Sequence, residues 1–118
     1  MKKKLLTRET GKQKILLFGS NGMLGHKILQ NLPIEFDAIG TVRKKKNNKL
    51  KNFNLLKNIN VKNFKKIENL ICNINPAYVI NCSGLIKQKL EKKNYSELKT
   101  INYYFPLFLV NLSKNKGK

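Results

Sequence analysis

Three glycines, Gly19, Gly22 and Gly25, lie directly between an apolar run and an amphipathic stretch, and they constrain the fold more than any other feature of this chain. Ile15, Leu16, Leu17 and Phe18 form a short continuous apolar run, which fits a strand buried on both faces as in a parallel sheet. Ser20 and Asn21 fall inside the turn. Met23 to Leu32 then reads as a helix with Leu24, Ile28 and Leu32 on one face, stopped by Pro33. In this strand–turn–helix setting Gly19 permits the sharp turn off the strand, Gly22 lets the backbone approach a pyrophosphate, and Gly25 lets the helix pack closely. The phosphates would meet the free N–H groups and positive end of the helix. No Gly-Lys-Ser/Thr follows, so a Walker A loop is excluded.

The remaining pattern repeats strand and helix. Phe36 to Val42 reads as a second strand that Gly40 weakens, and Leu55 to Val61 supplies a third. Phe64, Ile67, Ile71 and Ile74, with Leu70 beside them, give a helical stripe that ends before Pro76. Tyr78 to Cys82 is a fourth strand entering the Ser83-Gly84 turn. Leu98, Ile101, Phe105, Phe108, Leu109 and Leu112 recur at three and four residues, which predicts a helix over Ser96 to Leu112 that Pro106 should kink. Residues 1–13 read as a frayed basic leader and 113–118 as a disordered polar tail. The expected fold class is α/β, a Rossmann-type doubly wound parallel sheet in the order 3-2-1-4, ending after about four strands.

Composition narrows the function. The net charge is +19, which suits a nucleic-acid partner because lysines neutralise phosphates. Only Arg8 and Arg43 are arginine, however, and no basic helix interleaves aromatics for base stacking. Lys, Asn and Ile share A/T-rich codons, so drift at solvated positions explains the bias without a nucleic-acid partner. No apolar run approaches the roughly 18 residues of a membrane span, and Leu5-Leu6 after Lys2 to Lys4 is too short for a signal peptide, so a cytoplasmic location is expected. Cys72 and Cys82 fall where small buried residues are wanted and read as core thiols. One histidine, His26, and no cluster of Cys, Asp or Glu leave no metal site to be expected.

The end of the second strand decides between nicotinamide cofactors. An acid there accepts hydrogen bonds from a ribose 2′-OH, whereas a base accommodates a 2′-phosphate. The residue is Arg43, followed by Lys44 to Lys46, which points to NADP over NAD. The competing account is that these charges merely solvate a loop.

Lys14-Ile-Leu-Leu-Phe-Gly-Ser-Asn-Gly-Met-Leu-Gly-His26, Gly40-Thr-Val-Arg43, Val79-Ile-Asn-Cys-Ser-Gly-Leu-Ile-Lys-Gln88 and Ile101-Asn-Tyr-Tyr-Phe-Pro106 resemble the extended short-chain dehydrogenase/reductases. Among these, the chain is most similar to the dTDP-4-dehydrorhamnose reductase-like sugar-nucleotide reductases. The resemblance implies NADPH-dependent reduction of a 4-keto group on a nucleotide-linked deoxysugar, in polysaccharide biosynthesis. It implies that Gly19, Asn21, Gly22, Met23 and Leu24 lie along the pyrophosphate, with Ser20 and Gly25 among the cofactor-binding residues of the same turn, and that Arg43 meets the adenosine ribose or its phosphate. Cys82, Ser83 and Gly84 would lie toward the nicotinamide, and Asn102 matches the asparagine that supports the family's active site. Asn60 stands where the family usually has an aspartate near the adenine.

That family's chemistry uses a Ser or Thr after a fifth strand and a Tyr-x-x-x-Lys on the next helix, and residues 14–112 match only the part before these. Tyr95-Ser-Glu-Leu-Lys99 has the spacing but precedes Asn102, and in so lysine-rich a chain it reads as coincidence, so no catalytic residue is assigned. The 118 residues alone are expected to hold the cofactor without reducing a keto-sugar, which would need the C-terminal half as well. The alternative is a non-catalytic dinucleotide-binding module or sensor.

Overall fold

The computed structural model describes residues 12–43, 53–84 and 95–115. Four parallel strands form one sheet in the order β3-β2-β1-β4, as the alternating pattern predicts. β1 spans Gln13–Phe18, β2 Phe36–Thr41, β3 Leu55–Leu56 and β4 Tyr78–Asn81. Leu17 of β1 pairs with Gly40 on one side and Ile80 on the other, which puts β1 at the centre. Ile15, Leu16, Leu17 and Phe18 are all buried, as a strand covered on both faces requires.

On one face, Leu16, Phe18 and Ile39 pack against Ile67, Ile71 and Ile74 of helix α2 (Phe64–Ile74) and against Phe105 and Leu112 of helix α4 (Phe105–Asn115). Phe105 meets Phe18 edge-on, with ring centroids 5.2 Å apart, and Phe108 stacks on Phe64 at 4.6 Å. Asn63 caps α2 by accepting from the Lys66 N–H at 3.2 Å. Asn75 ends that helix in the left-handed region and donates its N–H to the Ile71 carbonyl at 2.8 Å, just before Pro76. Helix α1 (Met23–Asn31) lies on the other face, where Leu29 would be 3.0 Å from a β-carbon on Gly40, the partner of Leu17.

Several expectations need correction. In α1 the buried residues are Gly25, His26 and Leu29, not the stripe of Leu24, Ile28 and Leu32. Leu24 is 65 % exposed because it sits in the first turn, beyond the end of the strands. Gly40 does not weaken β2: a side chain there would collide with Ser20 Oγ and crowd Leu29 and Leu55, so its smallness lets α1 and the turn lie against the sheet. β3 is two residues long, and the chain then turns through Asn58, whose φ is 61°. β1 begins at Gln13, inside the expected leader, and α4 runs through Ser113 to Asn115, inside the expected tail. Cys72 is exposed, because it lies on the solvent side of α2 between Ile71 and Ile74.

Pro106 acts on the chain before it. Helix α3 (Tyr95–Lys99) passes into a π-helical segment, Thr100–Tyr104, and the Phe105 N–H reaches back five residues to the Thr100 carbonyl. Proline lacks an N–H and crowds the carbonyl four residues earlier, and a widened turn relieves both problems.

Candidate dinucleotide site

The sequence-predicted site residues gather at the carboxyl ends of the strands. Gly19 leaves β1 with φ +81°, and a β-carbon there would lie 2.6 Å from the Cys82 carbonyl carbon. Only glycine meets both conditions, since the turn needs a left-handed residue and the β4 exit lies against it. The Cys82 N–H donates to the Phe18 carbonyl at 2.8 Å, which locks that exit beside the glycine turn. The Gly22 N–H donates to the Gly19 carbonyl at 3.1 Å, closing the turn, and α1 begins immediately after it.

The three glycines are needed for different reasons. A β-carbon on Gly25 would collide with the Gly19 carbonyl, so the third glycine lets the helix close on the turn. Among the described residues, a β-carbon at Gly22 would meet only the Gly19 carbonyl, at 3.4 Å in ordinary contact, and φ is −74°. Nothing inside the described protein requires glycine at that exposed position. Asn21, Met23 and Leu24 are exposed beside it, Met23 at 86 %.

Ser20 sits differently from its neighbours in the turn. It is fully buried, its hydroxyl donates to the Leu17 carbonyl at 3.3 Å, and its N–H donates to the Thr41 carbonyl at 3.0 Å. Both donors are used within the protein, so Ser20 ties the turn to the ends of β1 and β2.

Arg43 stands two residues beyond β2. The Ile59 N–H donates to the Val42 carbonyl at 3.1 Å, which brings Asn60 to the same end of the sheet. The Asn60 side chain accepts from the Lys62 N–H at 3.0 Å. Arg43 Nη1 lies 3.5 Å from Glu97 Oε1, and Lys62 Nζ lies 3.6 Å from the same oxygen. Lys44 to Lys46 lie outside the described residues, as do Leu85 to Gln88.

At the β4 exit, the Ser83 N–H donates to Asn81 Oδ1 at 3.0 Å. A β-carbon on Gly84 would lie 3.5 Å from Asn102 Oδ1, so the structure brings Gly84 and Asn102 together from segments far apart in sequence. Burial pushes the half-buried Cys82 thiol above its ordinary range. Lys99 Nζ lies 5.9 Å from the centroid of the Tyr104 ring, a cation–π distance.

Sequence reasoning used His26 only to count metal ligands. The structure buries it in α1, where ring Nδ1 lies 2.9 Å from the Gly22 carbonyl that also accepts the His26 N–H. A carbonyl accepts only, so Nδ1 carries a proton and the ring braces the turn from behind. The signal was the position, four residues after Gly22 in one helical turn. Among the described residues there is no group of three His, Cys, Asp or Glu able to hold a metal ion, and no helix is long and apolar enough to cross a membrane.

No family model matches the sequence, and no curated protein matches it. Solved structures do match the fold. L-threonine dehydrogenase from Clostridium difficile superposes with a TM-score of 0.75 at 18 % identity, over 88 % of this chain and 34 % of that one. dTDP-4-dehydrorhamnose reductase from Bacillus anthracis, solved in complex with NADP, gives 0.67 at 21 %, over 90 % and 34 %. The Bordetella bronchiseptica enzyme WbmG, solved in complex with NAD, gives 0.73 at 16 %, over 94 % and 36 %. The chain spans about a third of the length of these three structures. The parallel sheet in the order 3-2-1-4, turning through Gly19 into α1, is thus a Rossmann-type α/β half-sheet of the kind these larger structures contain.

Proposed function

We propose that this chain holds NADP for a sugar-nucleotide reductase of the dTDP-4-dehydrorhamnose reductase-like kind, with the pyrophosphate over Gly22 and the N-terminus of α1. The observation that carries the reading is the exposed Gly22, where no contact among the described residues requires a glycine, at a helix start where N–H groups and the helix dipole favour an anion. Asn21, Met23 and Leu24 flank the pyrophosphate, and Arg43 takes the adenosine 2′-phosphate, with Asn60 on the adenine side. Ser83, Gly84 and Asn102 border the nicotinamide, while Gly19, Ser20, Gly25, His26 and Cys82 shape the turn. Bound there, the cofactor would supply hydride to the carbonyl of a keto-sugar nucleotide.

The likeness to a dTDP-4-dehydrorhamnose reductase with NADP supports this choice of cofactor and substrate, as does the cationic Arg43. NAD, present in the WbmG structure, is the second reading. Reduction also needs a positioned proton donor and an oriented substrate, and no described residue is assigned either role. The test is fluorescence titration of the chain with NADPH and NADH. We expect NADPH to bind at least ~10-fold more tightly, the scale of a charge-assisted contact, and Arg43→Ala to remove the preference. Equal affinities, or a preference unchanged in Arg43→Ala, would overturn the NADP assignment.

A further inference from the structure

We infer that Glu97 occupies the place of the cofactor's 2′-phosphate and that Lys62 is the second cation recognising that phosphate. This rests on the placement of the adenosine ribose at Arg43. Two cations from different parts of the fold, Arg43 after β2 and Lys62 after β3, converge on the single oxygen Oε1 of Glu97, at 3.5 and 3.6 Å. A point within reach of both is where an anion is favoured. The chain has 25 basic but only 6 acidic residues, so acidic groups are scarce and the gathering of two cations on one of them is selective.

Geometry supports the exchange. Lys62 is held by its backbone, because its N–H donates to Asn60 Oδ1 at 3.0 Å and the Asn63 N–H closes the same turn on the Asn60 carbonyl at 3.0 Å. The Arg43 side chain is 56 % exposed and the Glu97 side chain 30 %, so the cluster opens to solvent and a ligand can enter it. At these distances and exposures the ion pairs are weak and yield readily to a dianion. A phosphate monoester carries more charge than a carboxylate and offers three acceptor oxygens, enough to engage the guanidinium and the ammonium together. Glu97 therefore keeps the two cations gathered in the free protein and competes with the phosphate for them.

The test is calorimetric titration of the chain with 2′,5′-ADP, 5′-ADP and inorganic phosphate, for wild type, Arg43→Ala, Lys62→Ala and Glu97→Gln, with thermal melts to establish that each variant folds. We expect wild type and Arg43→Ala to behave as the NADP assignment requires, Lys62→Ala to weaken 2′,5′-ADP ~10-fold while leaving 5′-ADP unchanged, and Glu97→Gln to tighten 2′,5′-ADP several-fold. If 2′,5′-ADP is preferred and depends on Arg43, yet Lys62→Ala and Glu97→Gln leave the ratio of the two nucleotides unchanged, the inference fails and the cofactor assignment stands. If wild type binds neither nucleotide, both fail. Inorganic phosphate binding as tightly as 2′,5′-ADP would also overturn the inference, since the cluster would then be a general anion site.

Discussion

The carbonyl oxygen of Gly19 fills the space that a β-carbon on residue 25 would need, so the first and third glycines of the fingerprint are fixed by each other. Gly25→Ala must push α1 away from the turn. We expect a loss of about 1–3 kcal/mol in stability, the usual cost of overpacking a close contact, measured by urea denaturation. A cost below ~0.5 kcal/mol would show that the helix does not sit so close.

Phe105 joins the segment after the π-helical turn to the sheet. It is fully buried, edge-on to Phe18 and 6.1 Å from the Phe64 ring, so Phe105→Ala should cost about 3–5 kcal/mol in the same measurement. Leu107→Ala, at an exposed position in the same helix, should stay within ~0.5 kcal/mol and provides the control.

The two thiols should separate in reactivity. Cys72 is exposed, whereas burial raises the pKa of Cys82 and so lowers its thiolate fraction. Iodoacetamide at pH 8, followed by mass spectrometry, should label Cys72 first. The sign of the pH effect follows from the same shift. The unfolded Cys82 thiol ionises at lower pH than the folded one, so its contribution to stability is complete below the ordinary thiol pKa and is lost as pH rises through the raised value. Cys82→Ala should flatten that alkaline decline, and an unchanged decline would contradict the assignment.

β4 is the outer strand of the sheet among the described residues, with Tyr78 54 % and Val79 38 % exposed. Beside it lies an apolar groove of about 700 Å³ lined by Pro76, Tyr78, Val79, Pro106, Leu109 and Val110. Uncovered apolar edges template association. Val79→Lys should reduce concentration-dependent light scattering of the purified chain, and scattering that is equal in both proteins would place the sticky surface elsewhere.

The sequence was most readable where one residue type answers one physical demand. The continuous apolar run of β1, the stripe Ile67-Ile71-Ile74 and the turn at Gly19 were all visible, because burial and a positive φ leave few alternatives. The layer order followed from alternation of strand and helix. What stayed hidden depended on contacts made after folding. Gly40 looked like a weakness in β2 until Ser20 and Leu29 were seen to pass over it. Leu24 fits the helical period of a buried face, yet the turn places it past the end of the sheet. Cys72 matched the composition of a core, and only the phase of α2 shows it outside. In the site, Arg43 was legible from its position after β2. Its convergence with Lys62 on Glu97 was not, because those residues lie 19 and 54 positions further along the chain and only the fold brings them together.

The central claim is that a dinucleotide lies over the turn at Gly22, and the most direct measurement is NADPH affinity set beside stability for Gly22→Val. The backbone at Gly22 is extended and, among the described residues, a β-carbon there meets only the Gly19 carbonyl at 3.4 Å, so the melting temperature should stay within a few degrees of wild type, the scale of about 1 kcal/mol at a helix start. The branched side chain would stand where the pyrophosphate approaches, so NADPH affinity should fall at least ~100-fold, the loss of two or more charge-assisted hydrogen bonds. Undiminished NADPH binding by a folded Gly22→Val protein would contradict the account.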